Sequence, residues 1–209
     1  MELTFNNIIS TEEELRAILG YPSEIVTRKT ISYIDEHCKS FIENSPFITI
    51  ATSDLHGNFD VSPKGDPAGF VKIMDDKTLA IPDRPGNAKA DTLTNIIKNP
   101  YVGLIFLIPG IKETLRINGE AKIVTDESIL ELLSCDGKKP LFAIIVTVKE
   151  AFLHCAKCMI RSKLWKTYEE NKARPVPILA KALVDHGKLD ISVQELDDMI
   201  KNDEKTNLY

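Results

Sequence analysis

The sequence predicts a mainly β fold with flanking helices, in which an antiparallel sheet closes into a small barrel. Three observations predict it. From Phe47 to Val148 the apolar residues recur in short runs that alternate or stay continuously apolar, as strands do. The runs are joined by turns too short to hold a crossover helix, at His56-Gly57-Asn58, Asp75-Asp76-Lys77 and Pro109-Gly110. Helical periodicity is confined to the two ends and to one or two insertions, unlike the regular strand–helix alternation of a parallel sheet.

Each element has its own signal. Thr11-Glu12-Glu13-Glu14 is a capping box opening a short helix through Leu15, Ile18 and Leu19, and Gly20 and Pro22 end it. Ile31, Ile34, Cys38, Phe41 and Ile42 share one helical face, so a longer helix is expected to lie on the main domain. Strands are predicted over 47–52, 59–62, 70–74 and 78–81. A helix N-capped by Asn87 then carries Ala88, Leu93, Ile96 and Ile97 to the stop at Pro100. Tyr101 opens a continuous apolar strand. The next strand alternates most clearly: Leu115, Ile117, Gly119, Ala121 and Ile123 point one way, and Thr114, Arg116, Asn118, Glu120 and Lys122 the other. A short helix over 126–134, a strand over 141–148 and helices over 161–170, 178–185 and after the Ser192…Glu195 box complete the chain, with 172–177 the nearest thing to a linker. The domain reading is an N-terminal helical segment (1–45) packing on the barrel, the barrel (46–165) and a C-terminal helical extension (166–209).

Bulk properties exclude several function classes. With 209 residues the chain suits one sizeable domain, and a net charge of -5 argues against a general nucleic-acid binder. No apolar run approaches the ~20 residues of a membrane helix, and Met1-Glu2-Leu3-Thr4 lacks the basic and apolar regions of a signal peptide, so a cytoplasmic address is expected. Cys38, Cys135, Cys155 and Cys158 do not resemble a disulfide framework. Although His154-Cys155-Ala156-Lys157-Cys158 has a metal-like spacing, a structural zinc site wants four ligands, and no metal is expected. Trp165, beside Arg161 and Lys163, reads as a packing residue that could also cover a ligand.

Three stretches could carry chemistry. At 79–100 a strand bends into a helix start, and Arg84 precedes it. Free N–H groups, the positive end of the helix dipole and a guanidinium would converge there to hold a phosphate. The second stretch is Asp60-Val61-Ser62-Pro63-Lys64-Gly65-Asp66-Pro67-Ala68-Gly69-Phe70. Its prolines and glycines keep the backbone extended and bare, so that a flat ligand or a phosphate can approach its peptide groups. In the third, Thr114, Arg116 and Asn118 could offer donors from one strand face. Taken singly, a capped surface helix and a strand connection explain the first two stretches better than a ligand site does, and a solvated strand face explains the third well.

Together they carry a resemblance. Ser-Pro-Phe-Ile-Thr-Ile-Ala-Thr at 45–52, Val-Ser-Pro-Lys-Gly-Asp-Pro-Ala-Gly-Phe at 61–70, Ile-Pro-Asp-Arg-Pro-Gly-Asn at 81–87 and Glu-Thr-Leu-Arg-Ile-Asn-Gly at 113–119 occur in this order. The set resembles the pyridoxamine 5'-phosphate oxidase-like, FMN-binding split-barrel proteins over about 11–165. The resemblance implies a homodimer of six-stranded split barrels holding FMN at the dimer interface. The segment Ser62, Pro63, Lys64, Gly65 and Asp66 would lie beside the flavin ring, and Arg84, Gly86 and Asn87 near its phosphate. Thr114, Leu115 and Arg116 stand where the oxidases carry an Arg-Gln-Val-Arg-Ile-Glu-Gly run, with Thr114 in place of glutamine. The oxidases' Ser-Arg-Lys phosphate motif and C-terminal substrate motif are absent. The implied function is an FMN-dependent oxidoreductase acting on a small organic or nicotinamide substrate, in which the flavin does the chemistry and no side chain serves as nucleophile. The alternatives are a non-catalytic flavin-binding sensor or stress protein, and a split barrel binding haem or a deazaflavin.

Overall fold

The structure is a computed structural model, and it describes residues 3–166 and 178–206. The expected linker at 172–177 and residues 167–170 of the expected helix at 161–170 lie outside the described residues; over 161–166 helix continues only to Ser162. Three helices come first: α1 (Glu12–Leu19), α2 (Glu24–Arg28) and α3 (Glu36–Glu43). The Thr11 box forms, with the Thr11 hydroxyl accepting from the Glu14 amide and the Glu14 carboxylate accepting from the Thr11 amide. The longer helix expected to carry Ile31 to Ile42 forms only over its second half, as α3. Ile31 leaves helical geometry to exchange both backbone hydrogen bonds with Ala151, and only α3 buries residues, Cys38 and Ile42. Burial and the nearby Asp35 carboxylate push the Cys38 thiol up to about 12.

Seven strands follow: β1 (Phe47–Ser53), β2 (Phe59–Gly65), β3 (Lys72–Asp75), β4 (Thr78–Asp83), β5 (Tyr101–Leu107), β6 (Thr114–Val124) and β7 (Phe142–His154). Helix α4 (Asp91–Lys98) lies between β4 and β5, and α5 (Glu127–Leu132) between β6 and β7. Every pairing is antiparallel, and the strand order is β2-β1-β5-β6-β7-β4-β3. Two expectations are corrected here. The resemblance implied six strands, one fewer than observed, and the hydrogen-bonded ladder is open, with β2 and β3 at its edges. Side chains bridge the gap instead: Lys64 Nζ lies 2.7 Å from Asp83 Oδ1, and Arg84 Nε 2.7 Å from Asp66 Oδ2. The fold is a split barrel.

The alternation read in the sequence fills its interior. Ile48 and Ile50 of β1, Leu104 and Phe106 of β5, Leu115 and Ile117 of β6 and Ile144 and Val146 of β7 are buried in one core. At the bulge between Asn118 and Gly119, β6 passes so close to β7 that a side chain on Gly119 would collide with the Thr147 carbonyl. Beyond β7 come α6 (Lys157–Ser162), α7 (Leu179–Gly187) and α8 (Val193–Thr206); α7 and α8 pack on each other, and the Ser192 hydroxyl caps the Glu195 amide. Among the described residues no helix is long and apolar enough to cross a membrane.

Candidate functional site: a groove between the split edges

A groove of about 990 Å³ runs along the split, in the size range of cofactor sites. One wall is the last half of β2, from Ser62 to Gly65, with Asp66, Pro67 and Phe70 behind it; the other is Pro82 to Leu93, with Leu141 and Phe142 at the rim. Alternation along β2 turns Asp60, Ser62 and Lys64 toward the groove side and exposes Phe59, Val61, Pro63 and Gly65 on the opposite face. Thr92, on the first turn of α4, closes the bottom: Asp60 Oδ2 accepts from the Thr92 hydroxyl at 2.7 Å and the Ser62 hydroxyl at 3.0 Å. Asn95 reaches the Thr52 hydroxyl and Asn99 the Ser53 hydroxyl, at 3.2 and 3.1 Å, which fixes α4 across β1.

The helix mouth differs from the one expected. Helix α4 starts at Asp91, three residues later than predicted, and its N-cap is Ala90 rather than Asn87. The Asn87 side chain turns back on its own loop and accepts from the Lys89 amide at 3.0 Å. Ala88 and Ala90 both take left-handed backbone, with φ 59° and 57°, and the mouth of α4 has no side-chain cap. Its first amides therefore open, uncapped, into the groove beside the loop that carries Gly86 and Lys89.

Arg84 also does something other than predicted. Its Nε donates to Asp66, one terminal nitrogen donates to the Leu133 carbonyl at 2.8 Å and the other to the Lys138 carbonyl at 3.4 Å. With Asp66 3% and Arg84 15% exposed, this pair is a buried strut across the split. The groove's other two cations are paired as well, Lys64 with Asp83 and the exposed Lys89 with Asp91 at 2.6 Å. With these cations paired and Asp60 bonded to hydroxyls, the groove has no surplus positive charge, and the uncapped amides are its anion-seeking feature.

Ser62, Pro63, Lys64, Gly65, Asp66, Arg84, Gly86 and Asn87 thus come together on this groove. Thr114, Leu115 and Arg116 do not. Leu115 is wholly buried in the core, while Thr114 and Arg116 face outward on the far side of the sheet, opposite His154 and Phe152 of β7. Trp165 stands away from the groove and donates from Nε1 to the Ile111 carbonyl at 2.7 Å. Asp60 opens the stretch singled out in the sequence but is not read there as a site residue, and Thr92 is missed, since no local signal ties it to a strand thirty residues away. Lys29 is carried to the end of β7 by the Ile31–Ala151 bridge, where its Nζ donates to the Leu153 carbonyl.

The Pyridoxamine 5'-phosphate oxidase family pattern matches residues 34–155. The chain belongs to this family. The match runs from just before α3 to the end of β7 and so takes in both walls of the groove. Among solved structures the family chain is similar to HupZ of Group A Streptococcus, at 23% identity over 57% of this chain and 93% of that one, with a TM-score of 0.49. It is similar also to an FMN-binding protein of Syntrophomonas wolfei subsp. wolfei, at 13% identity over 56% and 88%, TM-score 0.42. The General Stress Protein 26 of Bacillus anthracis str. Sterne matches at 13% identity over 55% and 88%, TM-score 0.42. No curated protein matches the chain.

Proposed function

We propose that this split barrel binds FMN in the groove and works as an FMN-dependent oxidoreductase on a small organic or nicotinamide substrate. The observation that carries the reading is the uncapped mouth of α4, which opens into a groove large enough for a nucleotide-sized ligand. The phosphate would be held by the amides of 88–92, with Lys89 turning to it from Asp91. An exposed ion pair of that kind is worth little and is readily exchanged. The extended backbone at Pro63 and Gly65 would lie along the ring, with Lys64 and Ser62 supplying donors. Arg84 serves this site through Asp66, by keeping the two walls at their spacing. Bound flavin supplies reversible two-electron exchange; the chain holds it, orients it and keeps water off one face.

The site reading includes a homodimer. Phe47, Phe59, Val61, Tyr101 and Ile105 lie exposed on the outward face of neighbouring strands β2, β1 and β5. An apolar sheet face of this kind calls for a cover, and a second copy would supply one. The same covering would bring Thr114 and Arg116 of one copy toward the groove of the other.

Absorption and fluorescence titrations test the proposal. The protein should quench added FMN saturably and bind riboflavin at least about tenfold more weakly, because riboflavin lacks the charged group. Equal affinities would remove the phosphate from the α4 mouth, and no binding of either would end the reading. Gly86→Leu is a second test. A side chain built there meets no neighbour, so the variant should keep its melting temperature and lose FMN by obstruction. Anaerobic reduction by NADH or NADPH, followed by reoxidation in air, separates turnover from mere flavin storage.

A further inference from the structure

A sequence motif that neither the groove nor the core uses is Cys155-Ala156-Lys157-Cys158. All four cysteines of the chain are free, and their surroundings differ. Cys38 is buried, with its thiol pushed up to about 12 by burial first, and Cys135 is half-buried with no second cysteine near it in sequence. Cys155 and Cys158 are both exposed. Among the described residues no group of three or more His, Cys, Asp or Glu converges, so this pair has no third and fourth protein ligand with which to build a structural zinc site.

The fold holds the two thiols within bonding reach. Cys155 follows the end of β7, Ala156 turns right-handed with φ -72° and ψ -4°, and Lys157 opens α6. Two successive right-handed residues make a turn whose first and fourth Cα atoms lie within about 7 Å, and a disulfide spans about 4.4–6.8 Å between its Cα atoms. Both ends of the turn are anchored. On one side the Thr114–His154 register ties the last residue of β7 to β6; on the other Met159 is buried, and the Ile160 amide donates to the Ala156 carbonyl at 3.0 Å. The cysteines therefore meet at a fixed spacing, which favours a bond within the turn over one to another molecule.

The neighbouring charges indicate what such a pair would react with. From Ala151 to Lys166 the chain carries Lys157, Arg161, Lys163 and Lys166, all exposed, and no Asp or Glu, although its net charge as a whole is -5. We propose that Cys155 and Cys158 form a redox-active dithiol that reduces a small disulfide bearing carboxylates. One cysteine thiolate attacks a sulfur of the small disulfide, forming a mixed disulfide and releasing the first small thiolate. The other cysteine thiolate then attacks the protein sulfur of the mixed disulfide, closing the Cys155–Cys158 bond and releasing the second. In total the dithiol gives up two electrons and two protons, and the small disulfide becomes two thiols. No flavin takes part in this exchange, so it stands apart from the function proposed for the groove.

Oxidised glutathione, which carries carboxylates on both halves, is the probe, and the mass of the peptide bearing both cysteines, after an alkylating quench of the full chain, is the readout. In the wild type this peptide should become two hydrogens lighter and retain no glutathione, whereas Cys155→Ser and Cys158→Ser should each keep a glutathione adduct on the remaining thiol. Melting temperatures report whether each variant is folded. At low salt, Lys157→Gln with Arg161→Gln should slow the reaction with oxidised glutathione at least about threefold more than that with uncharged hydroxyethyl disulfide, because the two cations attract only the charged reagent. A wild type that does not react, or that keeps its adducts as the single variants do, overturns the dithiol. Equal slowing with both reagents overturns the carboxylate-bearing class of substrate.

Discussion

At the scale of single residues, Arg84 has a partner that its place in the sequence does not reveal. An arginine just before a helix start is a good phosphate ligand on sequence alone, but the fold sets Asp66 beside it, and a buried carboxylate needs a cation more than a solvated phosphate does. Arg84→Ala is therefore expected to act mainly on stability, lowering it by about 3 kcal/mol in chemical denaturation, because it strands Asp66 in the split. A loss of FMN affinity with an unchanged denaturation midpoint would contradict this. His154 gives a pH prediction. Its folded pKa lies below the ordinary value, because of burial first and then the charges of Arg116 and Lys29, so the unfolded chain binds the proton more tightly. The stability this residue contributes is complete above the ordinary imidazole range and is lost as pH falls through the lowered folded value. Denaturation midpoints followed from neutral to mildly acidic pH should decline, and His154→Gln should flatten that part of the decline.

At the scale of elements, the strands were legible because their apolar period is imposed by the pleat itself. The start of α4 was not. Asn87 is a better cap than Ala90 by intrinsic preference, yet it caps its own loop, and the left-handed residues at Ala88 and Ala90 delay the helix. That delay leaves the first amides of α4 uncapped beside the groove. The β6–β7 pairing is a second case. Gly119 reads as an ordinary member of the inward row of β6, but the bulge after Asn118 brings the Thr147 carbonyl into the space a side chain would occupy. Gly119→Ala should cost about 1–3 kcal/mol by thermal melting, since the longest strand pair must shift to admit one methyl. An unchanged melting temperature would show that the pairing yields more easily than its close contact suggests.

At the scale of the whole molecule, the outward apolar face of β2, β1 and β5 carries the remaining prediction. Phe59 is 80% and Tyr101 65% exposed, on neighbouring strands of one face. If a second copy covers them, Phe59→Lys with Tyr101→Lys should give a monomer by sedimentation while each barrel stays folded, because neither side chain belongs to the core. FMN affinity should fall in step with dimer loss if Thr114 and Arg116 meet the groove only from the partner. A wild-type protein that sediments as a monomer would remove the dimer from the reading. By itself, the sequence determined the antiparallel sheet, its inward rows, the helices at both ends and the family to which residues 34–155 belong, since periodicity, turn chemistry and ordered motifs are local properties of the chain. Only the tertiary structure decided which side of the sheet each candidate faces and which charges are already spent. Ser62 and Lys64 share the groove with Arg84, whereas Arg116 lies across the sheet with Lys29, because strand register and long-range ion pairing depend on residues far apart in sequence.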